Sequence, residues 1–216
     1  MLRGNARADS TGNIPGLVEH PTLRRLARAL EERPGGLAPD DGAPRRAAVA
    51  VVFRHIGDDV LELLLIKRSE RVGDPWSGHV ALPGGRHEPG DATLQDTAVR
   101  ETLEETGIDI ARDGVVLGML DELRPRTPVL PPIIVTPFVA VVPAGVAIVA
   151  SDEVADAFWV PLASLADPSI AVESEVTSRG TTWRVPTYQL GVHVVWGMTE
   201  RILRNLLSLI EPRSVL

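Results

Sequence analysis

Between Thr127 and Ser151 the chain reads TPVLPPIIVTPFVAVVPAGVAIVAS without one charged residue, and prolines interrupt it at positions 131, 132, 137 and 143. Its length is that of a membrane-spanning helix. Each proline, however, removes a backbone donor and clashes with the preceding helical turn. The stretch therefore reads as β-branched strands punctuated by turns, and a membrane span is not expected.

Other apolar runs fit the same picture. AAVAVVFRH after Arg46 and VLELLLIKR after Asp59 flank Gly57-Asp58-Asp59, a hairpin-like signature. Strand-like runs recur at VVLGML, IIVTPFVAVV, AFWVPL and TTWRVPTY. Between them, Thr93 to Thr106 predicts a helix: Leu94, Ala98, Thr102 and Leu103 keep the helical period, Thr93-x-x-Asp96 forms a capping box, and Gly107 stands at the C-terminal stop. Val194 to Ile210 predicts a second principal helix, with Thr199, Ile202, Leu203, Leu206, Leu207 and Ile210 in phase. Strands before, between and after two helices make an α/β protein. Ahead of this body, Pro21 to Arg33 predicts a short amphipathic helix, and Pro34-Gly35-Gly36 through Pro44 a turn-rich connector. Residues 1–45 are thus expected to form an N-terminal arm and residues 46–216 the main domain.

With 22 Lys and Arg against 29 Asp and Glu, the net charge of −7 argues against a nucleic-acid coat, which needs a broad excess of cations. An anionic substrate would have to be held by a few placed arginines or by metal. The absence of cysteine excludes disulfides, thiolate metal sites and cysteine nucleophiles. Arg3 and Arg7 are followed by no apolar stretch of the secretory kind, so a cytoplasmic location is the expectation.

The chemistry concentrates in GGRHEPGDATLQDTAVRETLEETGI, residues 84–108. Glu101, Glu104 and Glu105 stand at i, i+3 and i+4 and project from one face of the helix. Like charges at that spacing repel, and they are tolerated either as a solvated acidic face or around a hard divalent cation such as Mg²⁺ or Mn²⁺. The tight loop Leu82-Pro83-Gly84-Gly85 just upstream permits close backbone approach to such an ion.

Gly85, five residues, Asp91, eight residues, Arg100-Glu101, two residues, Glu104-Glu105, Thr106, Gly107 and Ile108 together resemble the box of the Nudix hydrolases. The first acid is Asp where the family has Glu, the spacer to the Arg-Glu pair is one residue longer, and the aliphatic slot is shifted by one. The longer spacer resembles the coenzyme A pyrophosphatase branch. So do Leu64-Leu65-Ile66-Lys67-Arg68-Ser69, then Gly78 leading into Pro83-Gly84-Gly85, and the late Trp196-Gly197-Met198-Thr199. Gly73-Asp74-Pro75-Trp76 stands where that branch more often has a basic stretch.

The resemblance implies a Nudix fold, an α/β/α sandwich with a mixed sheet, and attack of water on the pyrophosphate of a nucleoside-diphosphate-linked small molecule. Coenzyme A or its derivatives is the leading substrate; ADP-ribose, dinucleoside polyphosphates or NAD-like compounds are the alternative, and a non-catalytic binding module a third reading. It implies Mg²⁺ or Mn²⁺ held by Glu101, Glu104, Glu105 and the Gly85 carbonyl. Arg100 would touch phosphate or orient the glutamates, and Glu153 would be the extra acid, with Glu173 and Glu175 in a Val172-to-Gly180 loop as rivals. Arg68 and Arg86 would clamp phosphates, and Trp76 would stack a substrate group or pack its loop. His79 and His87 lack metal-ligand spacing, Trp159, Trp183 and Trp196 are expected in the core, and a homodimer is left open.

Overall fold

A computed structural model describes residues 16–57, 60–74, 76–125, 132–178 and 180–210. Residues Arg3, Arg7, Asp58, Asp59, Pro75 and Pro131, on which some of the expectations above rest, lie outside the described residues.

Alternation along the strands builds the centre. Strand β1 (Arg45–Ile56) sends Ala47, Val51 and Phe53 to one face and Ala48, Ala50 and Val52 to the other, and all six are buried. A strand buried on both sides sits mid-sheet. Accordingly β1 pairs in parallel with β6 (Ile133–Val141) along one edge. On its other edge it pairs antiparallel with β4 (Gly84–Arg86), then with β2 (Val60–Arg68). Strands β3 (Val80–Ala81) and β7 (Val154–Pro161) add to β2, and β5 (Val115–Met119) adds to β6, giving a mixed seven-stranded sheet. Pro137 falls inside β6, beyond the last β5 pair at Met119 and Phe138; it has no N–H to donate, and its carbonyl accepts the Leu120 N–H at 2.9 Å.

Helix α2 (Leu94–Thr106) covers one face, with Ala98 packed against Ala48, Ala50 and Val52. It runs from a Thr93–Asp96 capping box to Gly107, whose φ of 71° is the left-handed conformation that ends the helix. The short α3 (Ile110–Asp113) follows. The other face is covered by α1 (Pro21–Glu32), through Leu23, Leu26 and Leu30, and by α5 (Gly197–Ile210), through Ile202, Leu203, Leu206 and Leu207. The result is the expected α/β/α sandwich.

Past the single-turn α4 (Leu162–Leu165), strands β8 (Ala171–Ser178), β9 (Thr181–Leu190) and β10 (His193–Trp196) form a separate antiparallel sheet. Four expectations are corrected. The segment from Val172 is a strand, since it pairs residue for residue with β9. Val194–Trp196 pairs with Thr187–Gln189, so the last helix starts at Gly197. Trp183 is 44% exposed on the second sheet and belongs to neither apolar cluster among the described residues, and Leu103 is 44% exposed because α2 turns its threonines and Ala98 inward. Among the described residues no helix is long and apolar enough to cross a membrane.

Candidate active site

The site forms where β4 brings the glycine loop against α2. Gly85 lies so close to the helix that a Cβ there would stand 2.2 Å from the Glu101 carboxylate, so any side chain at this position would push that carboxylate aside. Next to it the Gly84 N–H donates to Glu105 Oε2 at 2.8 Å. Glu101 and Glu105, one helical turn apart, are thereby drawn under the loop; Glu105 is only 3% exposed.

Electrostatics record the confinement. Burial pushes the Glu105 carboxyl up to about 7, against the pull of the Gly84 N–H and the Arg68 guanidinium, with the charges of Glu101 and Glu153 adding to the rise. Burial also raises Glu101, and the charges of Glu104 and Glu88 contribute while Arg100 opposes them. The two carboxylates, Glu105 buried and Glu101 partly so, repel each other while Arg68 and Arg100 offset part of that charge.

Arg100 is fastened from behind. Its Nε and one terminal nitrogen make a two-pronged pair with Asp91 at 2.8 and 3.0 Å, the other terminal nitrogen reaches Glu101 at 3.1 Å and Glu104 at 3.0 Å, and a further bond goes to the Arg86 carbonyl. Asp91 also accepts from Thr97 Oγ1 and the Glu88 N–H, and the hydrogen bonds from Arg100 hold its carboxyl well below the usual range. Arg100 is thus spent on orienting carboxylates. Asp91 is a member of the site that its motif position marked but to which spacing alone gave no role.

Glu104, its side chain 57% exposed, shares an Arg100 nitrogen with Glu101. Glu153 lies just ahead of β7, its backbone carbonyl accepting from the Ser69 N–H and its carboxylate paired with Arg71 at 2.9 Å. Its rivals lie on the second sheet, both exposed, with Glu173 bound to Arg184. Arg68, at the end of β2, reaches Glu105 at 3.3 Å and Asp74 at 3.0 Å. Arg86 is exposed and its guanidinium has no hydrogen bond or ion pair among the described residues. Trp76 is half-buried against the core under the 69–79 loop. His79 tilts against Trp196, with ring centroids 4.6 Å apart, and His87 bonds Thr97, so neither faces the glutamate pair as a ligand. Asp74 and Arg71 carried no signal in the sequence, since a loop residue's reach to a strand end depends on how the loop folds.

Could these residues hold a divalent cation? Among the described residues no three acidic or imidazole side chains converge on one point. Two carboxylates beside a glycine carbonyl nevertheless suit a small hard ion such as Mg²⁺, which keeps much of its water and takes one or two carboxylates together with substrate phosphate oxygens. The donor set is all oxygen, which fits such an ion and not a thiophilic one.

Residues 43–179 match the model of the NUDIX domain. Over 154 residues the chain is 36% identical to an uncharacterized protein of Schizosaccharomyces pombe, an alignment covering 62% of this chain and 47% of that protein. The chain thus spans about half the length of that relative. Against the uncharacterized Nudix hydrolase NudL of Photorhabdus laumondii the identity is 35% over 150 residues, 69% of this chain and 77% of the other. A MutT/nudix family protein from Enterococcus faecalis superposes with a TM-score of 0.52 over 85% of this chain and 67% of its own, at 19% identity, a likeness of fold.

Proposed function

We propose that this chain, which belongs to the NUDIX domain family, is a hydrolase of nucleoside diphosphate derivatives and cleaves the pyrophosphate of coenzyme A or its derivatives with Mg²⁺ or Mn²⁺. The observation that carries the reading is the close fit of Gly84 and Gly85 over the buried Glu101–Glu105 pair. The choice of coenzyme A is supported by the Arg68-Ser69 segment and the eight-residue spacer between Asp91 and Arg100.

Glu101, Glu105 and the Gly85 carbonyl would hold the ion, and Arg100, locked by Asp91, keeps Glu101 in place. Bound there, a divalent ion neutralises charge on the pyrophosphate oxygens and makes a water acidic enough to attack. Arg68, and Arg86, whose guanidinium has no ion pair among the described residues, would receive phosphate oxygens through their guanidinium forks. Glu153, once freed from Arg71, accepts the proton of the attacking water. Water oxygen adds to one phosphorus, the anhydride bond breaks, and the products are phosphopantetheine and adenosine 3′,5′-bisphosphate.

The test is a panel of coenzyme A, acetyl-coenzyme A, ADP-ribose, NADH and a dinucleoside polyphosphate with each metal, products resolved by chromatography. Preference for the coenzyme A compounds is expected; faster cleavage of ADP-ribose or the dinucleoside polyphosphate would keep the chemistry and overturn the substrate. Glu105→Gln should cut turnover at least about a hundredfold with the fold intact. Retained activity with unchanged metal dependence would remove Glu105 from the metal's ligands.

A further inference from the structure

The loop after β2 is the part of the chain that departs from the resemblance, and it places one acid against the site. Asp74 lies there with its side chain only 17% exposed, and its Oδ2 takes Arg68 at 3.0 Å. It is fixed independently of that pair: Oδ1 accepts the Trp76 N–H at 3.0 Å and the Asp74 carbonyl accepts the Ser77 N–H at 3.2 Å. Arg68 has no such independence. Its Nε is buried with no hydrogen-bond partner among the described residues, and its terminal nitrogens are divided between Asp74 and Glu105, the latter at 3.3 Å. The guanidinium therefore rests on two carboxylates, and losing one leaves it to the other.

The oxygen of Glu105 that faces Arg68 is Oε1; the other, Oε2, is taken by the Gly84 N–H. Each oxygen keeps a second lone pair for a metal ion, but at Oε1 the ion would approach against the charge of the guanidinium. We propose that Asp74 is a positioning residue that shares the Arg68 guanidinium and limits its hold on Glu105 to one 3.3 Å bond, so that this carboxylate stays available to the divalent ion and Arg68 stays available to phosphate. The proposal rests on the reading of Glu105 as a metal ligand. Arg68 offsets part of the repulsion between Glu101 and Glu105 through its ion pair with Glu105, and Asp74 draws part of the same guanidinium charge to itself. A hydrophobic or basic residue at position 74 would remove the counterweight.

The experiment is Mn²⁺ binding to the full chain without substrate, followed by the electron paramagnetic resonance signal of the free ion. Asp74→Asn keeps an acceptor for the Trp76 N–H and deletes only the charge; it should weaken Mn²⁺ binding about three- to tenfold, with an unchanged melting temperature. Arg68→Gln should strengthen binding, and the double variant should match Arg68→Gln, because Asp74 acts through the arginine. Wild-type affinity in Asp74→Asn would overturn the proposal. So would a double variant as much weaker than Arg68→Gln as Asp74→Asn is than wild type, which would mean that Asp74 acts on the ion by its own distant charge. Glu105→Gln separates the two readings: loss of binding there with no effect of Asp74→Asn leaves the function standing and removes this inference, whereas unchanged binding removes both.

Discussion

A carboxylate drawn under a glycine loop is under tension until a cation arrives. For Glu105 the folded carboxyl titrates near 7, above its ordinary 4.5. In the metal-free protein the folded state therefore holds an extra proton between those values, and stability falls as pH rises through that window. The penalty at pH 8 is roughly 3 kcal/mol. With chelator present, melting temperature should rise from pH 8 to pH 5.5, and Glu105→Gln should be more stable than wild type at pH 8 with a flatter profile. Parallel profiles for the two proteins would contradict this. Asp91 works in the opposite sense: its lowered carboxyl contributes stability above the ordinary carboxylate range and loses it in acid. Asp91→Asn should cost about 1 to 3 kcal/mol near neutral pH, seen as a lower denaturant midpoint.

At the scale of elements, what the sequence announces is what local chemistry settles. Thr93, Asp96 and Gly107 bound α2 through contacts within three or four residues, so the helix was readable to within a residue. Thr93→Ala removes the cap and should lower stability by about 1 kcal/mol in chemical denaturation. Glu101 and Glu105 were readable for the same reason, being neighbours on one helical face. The second sheet was not. Strand β8 is mostly exposed and mixes Glu, Ser and Thr with valine, so it shows no clean alternation, and β10 has apolar residues that continue the period of α5 until pairing with β9 decides otherwise. The partner of Arg100 lies nine residues back across a loop, and the partners of Arg68 lie on a loop and a helix; such meetings are products of tertiary structure.

Over the whole molecule, α1 is part of the packing although it precedes the sheet by a long connector. Leu23 and Leu26 are fully buried, and the connector is tied down where the Gly36 N–H meets Asp121 and the Ala38 N–H meets Glu122. Leu26→Ala should therefore cost about 2 to 5 kcal/mol, and should shift the entire unfolding transition rather than produce an early separate one. A first transition confined to α1 would show that the helix is an independent appendage.

The parallel pairing of β1 with β6 has a further consequence, in time rather than space. Ala47 meets Val135, about 90 residues later in the chain. At a synthesis rate of roughly 5 to 20 residues per second, β1 waits several seconds for that neighbour. During that interval only its antiparallel partners β2 and β4 are made, so one edge of an apolar strand faces solvent as the chain grows. Ribosome-held chains stopped before residue 133 should be cleaved readily by protease within β1, and chains stopped well after residue 141 should resist. The strand at the centre of the finished sheet is the one most dependent on protection while the protein is being made.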